Sequence, residues 1–178
     1  EILIGLVGSE MCIRDSYTIA RDFAELKPDE TLLDLYCGTG TIGLTMADSV
    51  KRLYGVEIIP QAIEDAKINA EINNIKNAEF FCGDASLAAE KLAQQGIKAD
   101  CIIIDPPRKG CDSTLINTIS EKFSPPRVIY ISCDPATLAR DLKIFNELGY
   151  SAFKVIPVDL FPRTGHVETV CLLSRKDK

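Results

Sequence analysis

A cysteine in the last third of the chain has the residue type and the position needed for covalent chemistry. Cys133 closely follows the apolar run 128–131, which has the composition of a buried strand. In an open α/β sheet, ligands bind at the carboxyl ends of the strands. A thiolate at that edge can act as a nucleophile, although a free cysteine is also commonly a small buried apolar residue. Cys133 is therefore a candidate catalytic residue with a structural alternative.

Glu168, at the start of the last apolar run, is the second candidate. The segment 159–166 is too short for a helical crossover, which needs about a dozen residues, so the last two strands should form an antiparallel hairpin. The thiol of Cys133 and the carboxylate of Glu168 would then face one pocket, although Glu168 could also be a solvated acid. Because His166 is the only histidine, no metal site is predicted.

A glycine turn at residues 34–40 is the third candidate feature. It has the pattern D-x-x-x-G-x-G, in which Gly38 and Gly40 allow a sharp turn and close approach to a ligand. Glu57 ends the next strand, where an acid can accept hydrogen bonds from a ribose. Asp84 ends the third strand and either reaches an adenine amino group or caps the following helix. The pattern is typical of S-adenosylmethionine binding, with a dinucleotide site or a structural turn as alternatives.

The segment that begins at Asp105 reads Asp-Pro-Pro-Arg-Lys-Gly. The two prolines hold the backbone extended and keep Asp105 at the ligand edge of the sheet. Enzymes that methylate amino groups usually carry an aromatic residue after such a Pro-Pro pair, and Arg108 stands there instead. This weakens the amino-methylation interpretation. Arg108 and Lys109 could equally form a solvated basic loop.

Predicted strands and helices alternate along the chain, which favours a parallel sheet covered on both faces. The predicted strands are 31–36, 52–58, 78–82, 99–104, 127–132, 151–158 and 167–174, and the predicted helices are 41–49, 60–73, 86–95, 113–123 and 135–148. Five βα units followed by a hairpin form the layout of a Rossmann-like class I methyltransferase. The expected fold is α/β, with a mostly parallel seven-stranded sheet and an antiparallel C-terminal hairpin.

Composition limits the function classes. The chain has 178 residues, of which 46% are hydrophobic, and this suits one domain. Seven cysteines occur without a C-x-x-C pair, which predicts a reducing cytoplasm and no zinc or iron–sulfur site. The apolar runs are shorter than the roughly 20 residues of a membrane span, so no membrane partner is expected. A net charge of −6 argues against autonomous nucleic-acid binding.

Taken together, the motifs resemble one family, the RNA uracil-5-methyltransferases that modify tRNA and ribosomal RNA. The resemblance covers residues 31–175 and has the motifs in family order: LDLYCGTGTIGL (33–44), GVE (55–57), DPPRKG (105–110), ISCDPATLARDL (131–142) and FPRTGHVE (161–168). It implies RNA as the substrate and S-adenosylmethionine as the cofactor, with the likeness closer to bacterial ribosomal-RNA enzymes than to tRNA enzymes.

The family resemblance also implies residue roles. Cys133 is the implied nucleophile and Glu168 the implied general base. The implied cofactor contacts lie around the glycine turn and the strand ends: Tyr36, Thr41, Glu57, Asp84 and Asp105. Two other classes stay open at this point, a methyltransferase that acts on amino groups or small molecules without a covalent step, and a non-catalytic module that keeps the fold.

The chain departs from the family pattern at its N-terminal side. Family members usually begin with an RNA-binding β-barrel domain, and none is present here, so residues 17–178 are expected to be the catalytic domain of a longer protein. A family Phe-x-Gln-x-Asn segment is also missing before the first strand, where Glu10–Ser16 stands instead. We expect residues 1–16 to be foreign to the natural protein. The sequence does not indicate the oligomeric state.

Overall fold

The computed structural model describes residues 10–159 and 167–176. Its strands are β1 (Thr31–Leu35), β2 (Arg52–Glu57), β3 (Ala78–Cys82), β4 (Cys101–Ile104), β5 (Arg127–Ser132), β6 (Tyr150–Val158) and β7 (Glu168–Arg175). Its α-helices are α1 (Glu10–Ala24), α2 (Thr41–Leu44), α3 (Pro60–Ile72), α4 (Ala85–Gln94), α5 (Ser113–Asn117) and α6 (Pro135–Glu147). No helix in these ranges is long and apolar enough to cross a membrane.

All seven strands form one sheet in the order β3-β2-β1-β4-β5-β7-β6. The first five strands are parallel, whereas β7 is antiparallel to both β5 and β6. This confirms the predicted α/β fold with its mostly parallel sheet and antiparallel C-terminal strands. The strand that pairs with β5 is β7, the last of the described strands, and β6 is the edge strand.

Alternate side chains of each central strand enter two separate cores. On one face, Leu33 and Ile102 pack with helices α4, α5 and α6. On the other face, Leu32 and Ile103 pack with helices that include α1 and α2. The central strands are therefore buried on both faces, which explains why they appear in the sequence as unbroken apolar runs. We call the second face the α1 face.

Three helical segments differ from the sequence-based predictions. The predicted helix 41–49 ends at Leu44 and continues as a 3-10 turn at Ala47–Ser49, because Met46 bonds to the Gly43 carbonyl three residues back. The predicted helix 113–123 becomes π-helical after Asn117, and the Ser124 N–H reaches the Ile119 carbonyl. Helix α1 was not predicted at all.

Candidate active site

The side-chain alternation of β5 and β7 directs the two candidate catalytic residues to one face. Along β5, Ile129 and Ile131 enter the core of the α1 face, and a period of two continues to Cys133. Along β7, Val170 belongs to the same core, and the same period continues back to Glu168. The thiol and the carboxyl group therefore lie on the same side of the sheet.

The strand register brings these two residues next to each other. Ser132 of β5 and Thr169 of β7 form the last pair of the antiparallel register, and the next residues on the two sides are Cys133 and Glu168. The charge of Glu168 raises the pKa of the Cys133 thiol, so the two groups lie close enough to interact. Glu168 is 8% exposed and Cys133 is half-buried, so the pair lies at the edge of the core.

Cys133 lies in a tight turn between β5 and α6. The carboxylate of Asp134 accepts the N–H groups of Ala136 at 2.9 Å and Thr137 at 3.0 Å, and so caps the start of α6. The Ser132 hydroxyl donates to the Asp134 carbonyl at 3.0 Å. These bonds hold the backbone on both sides of Cys133, which limits where the thiol can point.

Further acids lie on the α1 face of the sheet. Asp34 is 1% exposed, and its Oδ2 accepts the N–H of Gly43 at 3.0 Å, whereas its Oδ1 is buried without a hydrogen-bond partner among the described residues. Burial raises the pKa of Asp34 to about 7, and the charge of Glu57 adds to the rise. Burial likewise raises the pKa of Asp105 to about 8, helped by Glu168 and Asp34.

The same crowding of negative charge acts on the thiol. Burial raises the pKa of Cys133, and the carboxylates of Glu168 and Asp105 raise it further, while the Arg108 guanidinium lowers it. Burial also raises the pKa of Glu168 above its ordinary value. The electrostatics thus favour protonated forms of the site in the absence of a bound cation.

A cavity of about 420 Å³ opens at the carboxyl edge of β1, β2 and β4. Its lining includes four of the predicted cofactor residues: Tyr36, Glu57, Asp84 and Asp105. Exposed Ile58 and Ile59 form an apolar rim beside the acids. An apolar rim with a few converging polar groups is the usual composition of a small-molecule site.

Glu57 is fixed in this cavity by backbone donors. Its carboxylate accepts the N–H of Gly38 at 3.1 Å, of Ile58 at 2.8 Å and of Ile59 at 3.0 Å. The bond to Gly38 ties the glycine turn to the end of β2. Tyr36 enters that turn with a φ of 70°, a left-handed conformation that is uncommon for a residue other than glycine.

The remaining predicted cofactor residues support the cavity or border it. Gly38, Gly40 and Thr41 are not among the residues that line the cavity. A Cβ atom on Gly40 would lie 3.0 Å from Leu44 and 3.2 Å from Phe80, so the neighbouring side chains leave little room for a larger residue at this position. Asp84 both lines the cavity and caps α4, since its Oδ1 accepts the N–H of Ser86 at 3.0 Å. The helix-capping alternative for Asp84 is therefore realised, and its contact with an adenine amino group stays a prediction.

Two groups near the site were not predicted. Tyr17 extends from α1 toward the acids, and burial together with the charges of Asp105, Asp34 and Glu168 raises its pKa to about 12. A helical pattern of small and aromatic residues at Ser16, Ala20 and Phe23 could have indicated α1. His166 and Arg163 lie outside the described residues.

Comparison with solved structures identifies the class of protein. A tRNA (uracil-54, C5)-methyltransferase of Pyrococcus abyssi, solved with S-adenosyl-L-homocysteine, matches with a TM-score of 0.73 and 33% identity, over 89% of this chain and 38% of that one. An N-methyltransferase of Bradyrhizobium japonicum has the same fold, with a TM-score of 0.72 and 15% identity over 95% of this chain and 99% of that one. The sheet order and the cavity at its edge are those of a class I S-adenosylmethionine-dependent methyltransferase fold.

The family follows from the sequence match. A family model described as tRNA (Uracil-5-)-methyltransferase matches residues 17–176, and the chain belongs to this family. Proteins named as uncharacterized RNA methyltransferases from Bacillus cereus and Clostridium acetobutylicum are each 52% identical to it over 162 residues. The match covers 91% of this chain and 35% of each relative, so the chain spans about a third of their length.

The raised pKa of Asp105 predicts how stability depends on pH. The folded-state pKa of about 8 lies above the ordinary 3.8, so the folded chain keeps a proton that the unfolded chain has lost. The free energy of unfolding should fall as the pH rises from about 4 to about 8, and Asp105→Asn should reduce this fall by roughly 1 kcal/mol or more.

Urea denaturation at about pH 5 and about pH 8 measures the effect. Asp29→Asn, at an exposed position, is the matched control and should keep the wild-type pH dependence. An Asp105→Asn variant with an unchanged pH dependence would contradict the assignment of a buried, protonated acid.

Proposed function

We propose that the chain is the catalytic part of an RNA (uracil-5-)-methyltransferase that uses S-adenosylmethionine and forms a covalent bond between Cys133 and the target base. The observation that carries the proposal is the pairing of β5 with β7, in which Ser132 opposes Thr169 and the next residues along are the thiol and a buried carboxyl group. Covalent attack and proton removal need these two group types side by side. Family membership supports the same activity.

Uracil needs covalent activation before it can be methylated at carbon 5, because this carbon is a weak nucleophile. In the proposed reaction the Cys133 thiolate adds to carbon 6, a carbon–sulfur bond forms, and the ring electrons move to make carbon 5 an enolate carbon. This converts one difficult step into two easier ones. The fixed turn between Ser132 and Asp134 supports a defined direction of attack.

The cavity residues fit S-adenosylmethionine by their chemistry. Glu57 is suited to accept hydrogen bonds from ribose hydroxyls and Asp84 to accept one from an adenine amino group, while Tyr36 and Ile58 supply apolar surface. Asp105 lines the cavity and, with the buried Asp34 whose charge acts on it, supplies negative charge that a sulfonium cation would compensate. When bound, the cofactor supplies the methyl group as an electrophile. Gly38, Gly40 and Thr41 are proposed to hold the turn that borders it.

Glu168 is the proposed general base for the last step. Once carbon 5 carries the methyl group, its proton must leave, the carbon 5–carbon 6 double bond re-forms, and the bond between carbon 6 and sulfur breaks to release Cys133 as a thiolate. Burial raises the pKa of Glu168, which strengthens the group as a proton acceptor once ionised. Its position opposite Cys133 supports access to the same ring.

The target base must leave the helical stack of the RNA to reach the Cys133 thiol, which implies base flipping. Arg108 and Lys109 are exposed beside the site and are proposed to contact phosphates, together with Arg163. Because the chain has a net charge of −6, further contacts with RNA are expected from other parts of the full-length protein.

Ribosomal RNA is the first proposed substrate, on the likeness of DPPRKGCD and the closing motif to bacterial ribosomal-RNA enzymes. Transfer RNA is the second, favoured by the similarity to the tRNA (uracil-54, C5)-methyltransferase of Pyrococcus abyssi. Mapping 5-methyluridine in both RNAs from cells with and without the full-length gene decides between them. We also propose a cytoplasmic location, where RNA substrates are found.

Residues 1–16 are proposed to be foreign to the natural protein. The family match begins after them, at Tyr17, while helix α1 begins at Glu10. Resequencing the source gene tests this, and an intact upstream frame that encodes this peptide would overturn it.

RNA containing 5-fluorouridine tests the covalent step. With fluorine at carbon 5 there is no proton for a base to remove, so the thiol cannot be eliminated. The bond to Cys133 should therefore persist after methyl transfer. The full-length protein should form an adduct that survives denaturing electrophoresis, and Cys133→Ala should abolish it. Cys82→Ala, at an exposed cysteine on the distant strand β3, should leave it intact. An adduct retained by Cys133→Ala would refute Cys133 as the nucleophile, and the absence of an adduct in the wild type would favour a methyltransferase without a covalent step.

Asp105, which lines the cavity, and the buried Asp34 that acts on it predict a pH-dependent preference for the charged cofactor. S-adenosylhomocysteine lacks the sulfonium charge, so only S-adenosylmethionine gains affinity as Asp34 and Asp105 ionise near pH 7 and 8. The ratio of the two dissociation constants should change in favour of S-adenosylmethionine by about fivefold between about pH 6 and about pH 8.5. Calorimetry measures it. Asp105→Asn should flatten the change, and a ratio independent of pH in the wild type would contradict the account.

A further inference from the structure

One side of the cavity at the carboxyl edge of the sheet is formed by the connection between β4 and α5. Lys109, Gly110 and Asp112 line this side, whereas Cys111 between them is buried in the core. We call residues 109–112 the cavity wall. The wall lies between the end of β4 and the start of α5, outside regular secondary structure. Its backbone groups therefore need hydrogen bonds from other elements to keep one position.

A buried carboxylate of α6 holds the wall from behind. Asp141 is fully buried, and its Oδ2 accepts the N–H of Cys111 at 2.8 Å and the hydroxyl of Tyr130 at 2.7 Å. Tyr130 belongs to β5 and is itself fully buried. A buried carboxylate is unfavourable unless it is paired and hydrogen-bonded, so Asp141 should keep both bonds. One side chain thus ties the wall to the centre of the sheet.

Arg140 pairs with this carboxylate and also binds the wall. Its Nε donates to Oδ1 of Asp141 at 2.8 Å, and its Nη2 donates to the carbonyl of Lys109 at 2.9 Å and to that of Cys111 at 3.3 Å. A guanidinium can make these contacts together because it presents five donors in a fixed planar arrangement. The two neighbouring side chains of α6 therefore bind one N–H and two carbonyl groups of the wall.

Gly110 shows how closely the wall fits the ion pair. It has a φ of +73°, and its N–H bonds to the Pro107 carbonyl at 2.8 Å. A Cβ atom on Gly110 would lie 2.5 Å from both Arg140 Nη2 and Asp141 Oδ2. Any side chain at this position must therefore displace the ion pair or move the wall.

The other end of the wall is fixed by different contacts. Oδ2 of Asp112 accepts the hydroxyl of Ser86 in α4 at 2.6 Å, and its Oδ1 accepts the N–H of Leu115 at 2.8 Å, which caps α5. Loss of the ion pair should therefore loosen the wall at Lys109 and Gly110 and leave Asp112 in place.

We propose that Arg140 and Asp141 are positioning residues for the cofactor and act through the cavity wall. Neither is among the residues that line the cavity, so they raise cofactor affinity without touching the cofactor. A wall that is fixed before binding does not have to be ordered at the expense of binding free energy. The inference rests on the proposed function in taking this cavity as the cofactor site.

Calorimetric titration of the full-length protein with S-adenosylhomocysteine tests the inference. Arg140→Gln should raise the dissociation constant by roughly tenfold, because the wall must then be ordered on binding. Gly110→Ala should raise it similarly, and the double variant should bind little more weakly than either single variant, because both changes remove one constraint. In RNA methylation, Arg140→Gln should raise the KM for S-adenosylmethionine by the same factor and leave kcat within about twofold of the wild type.

Arg127→Gln is the matched control. Arg127 also joins a carboxylate to a backbone carbonyl, since it donates to Glu30 Oε1 at 2.6 Å and to the Glu25 carbonyl at 2.8 Å. It stands at the first residue of β5, at the opposite edge of the sheet from the cavity. Arg127→Gln should lower the urea midpoint of unfolding and keep the wild-type dissociation constant, which separates loss of stability from loss of positioning.

Two further variants complete the test. Arg140→Lys keeps a cation beside Asp141 but lacks the planar donors that reach the wall, so it should fold and still weaken binding. Wild-type affinity in both Arg140 variants, full additivity in the double variant, or an equal loss of affinity in Arg127→Gln overturns the inference. Glu57→Gln changes a residue inside the cavity and is scored separately. If it keeps wild-type affinity, the cavity is not the cofactor site, and the inference fails with that assignment.

Discussion

The pairing of β5 with β7 is the constraint on which the site depends. Because β7 inserts between β5 and β6, its first residue reaches the carboxyl edge of the parallel strands, where ligands bind in this kind of sheet. The register that ends with Ser132 and Thr169 brings Glu168 close to Cys133. A shift of one residue would turn Glu168 to the other face and remove it from the thiol.

Several acids are buried near Cys133 and Glu168. Their burial is unfavourable in the free protein, but it favours the binding of a cation. The pKa values of Asp34, Asp105 and Glu168 are all raised by burial, so the site holds protons that a cation can replace. The Cys133 thiol must lose its proton to act as a nucleophile, whereas the carboxylates of Glu168 and Asp105 raise its pKa. The charge of Arg108 acts in the opposite direction and lowers the pKa of the thiol.

The sequence predicted the parts of the structure that depend on local chain properties. The hairpin followed from the short connection 159–166, and the parallel strands followed from unbroken apolar runs. The choice of β7 rather than β6 as the partner of β5 did not follow, because either strand of a hairpin can join a sheet edge. The contact between the side chains of Arg140 and Asp141 did not follow either. Helical spacing assigns neighbouring residues to different faces, and only tertiary contacts bring their side chains together.

The division of roles between Cys133 and Glu168 is the central claim, and trapping the methylated intermediate tests it most directly. The full-length protein with Glu168→Gln is incubated with ordinary RNA and S-adenosylmethionine, and the protein–RNA species is analysed by intact mass. If Glu168 removes the carbon 5 proton, a covalent adduct that carries the transferred methyl group should accumulate, and adding Cys133→Ala should abolish it. Release of 5-methyluridine at the wild-type rate by Glu168→Gln, with no adduct, would contradict the account.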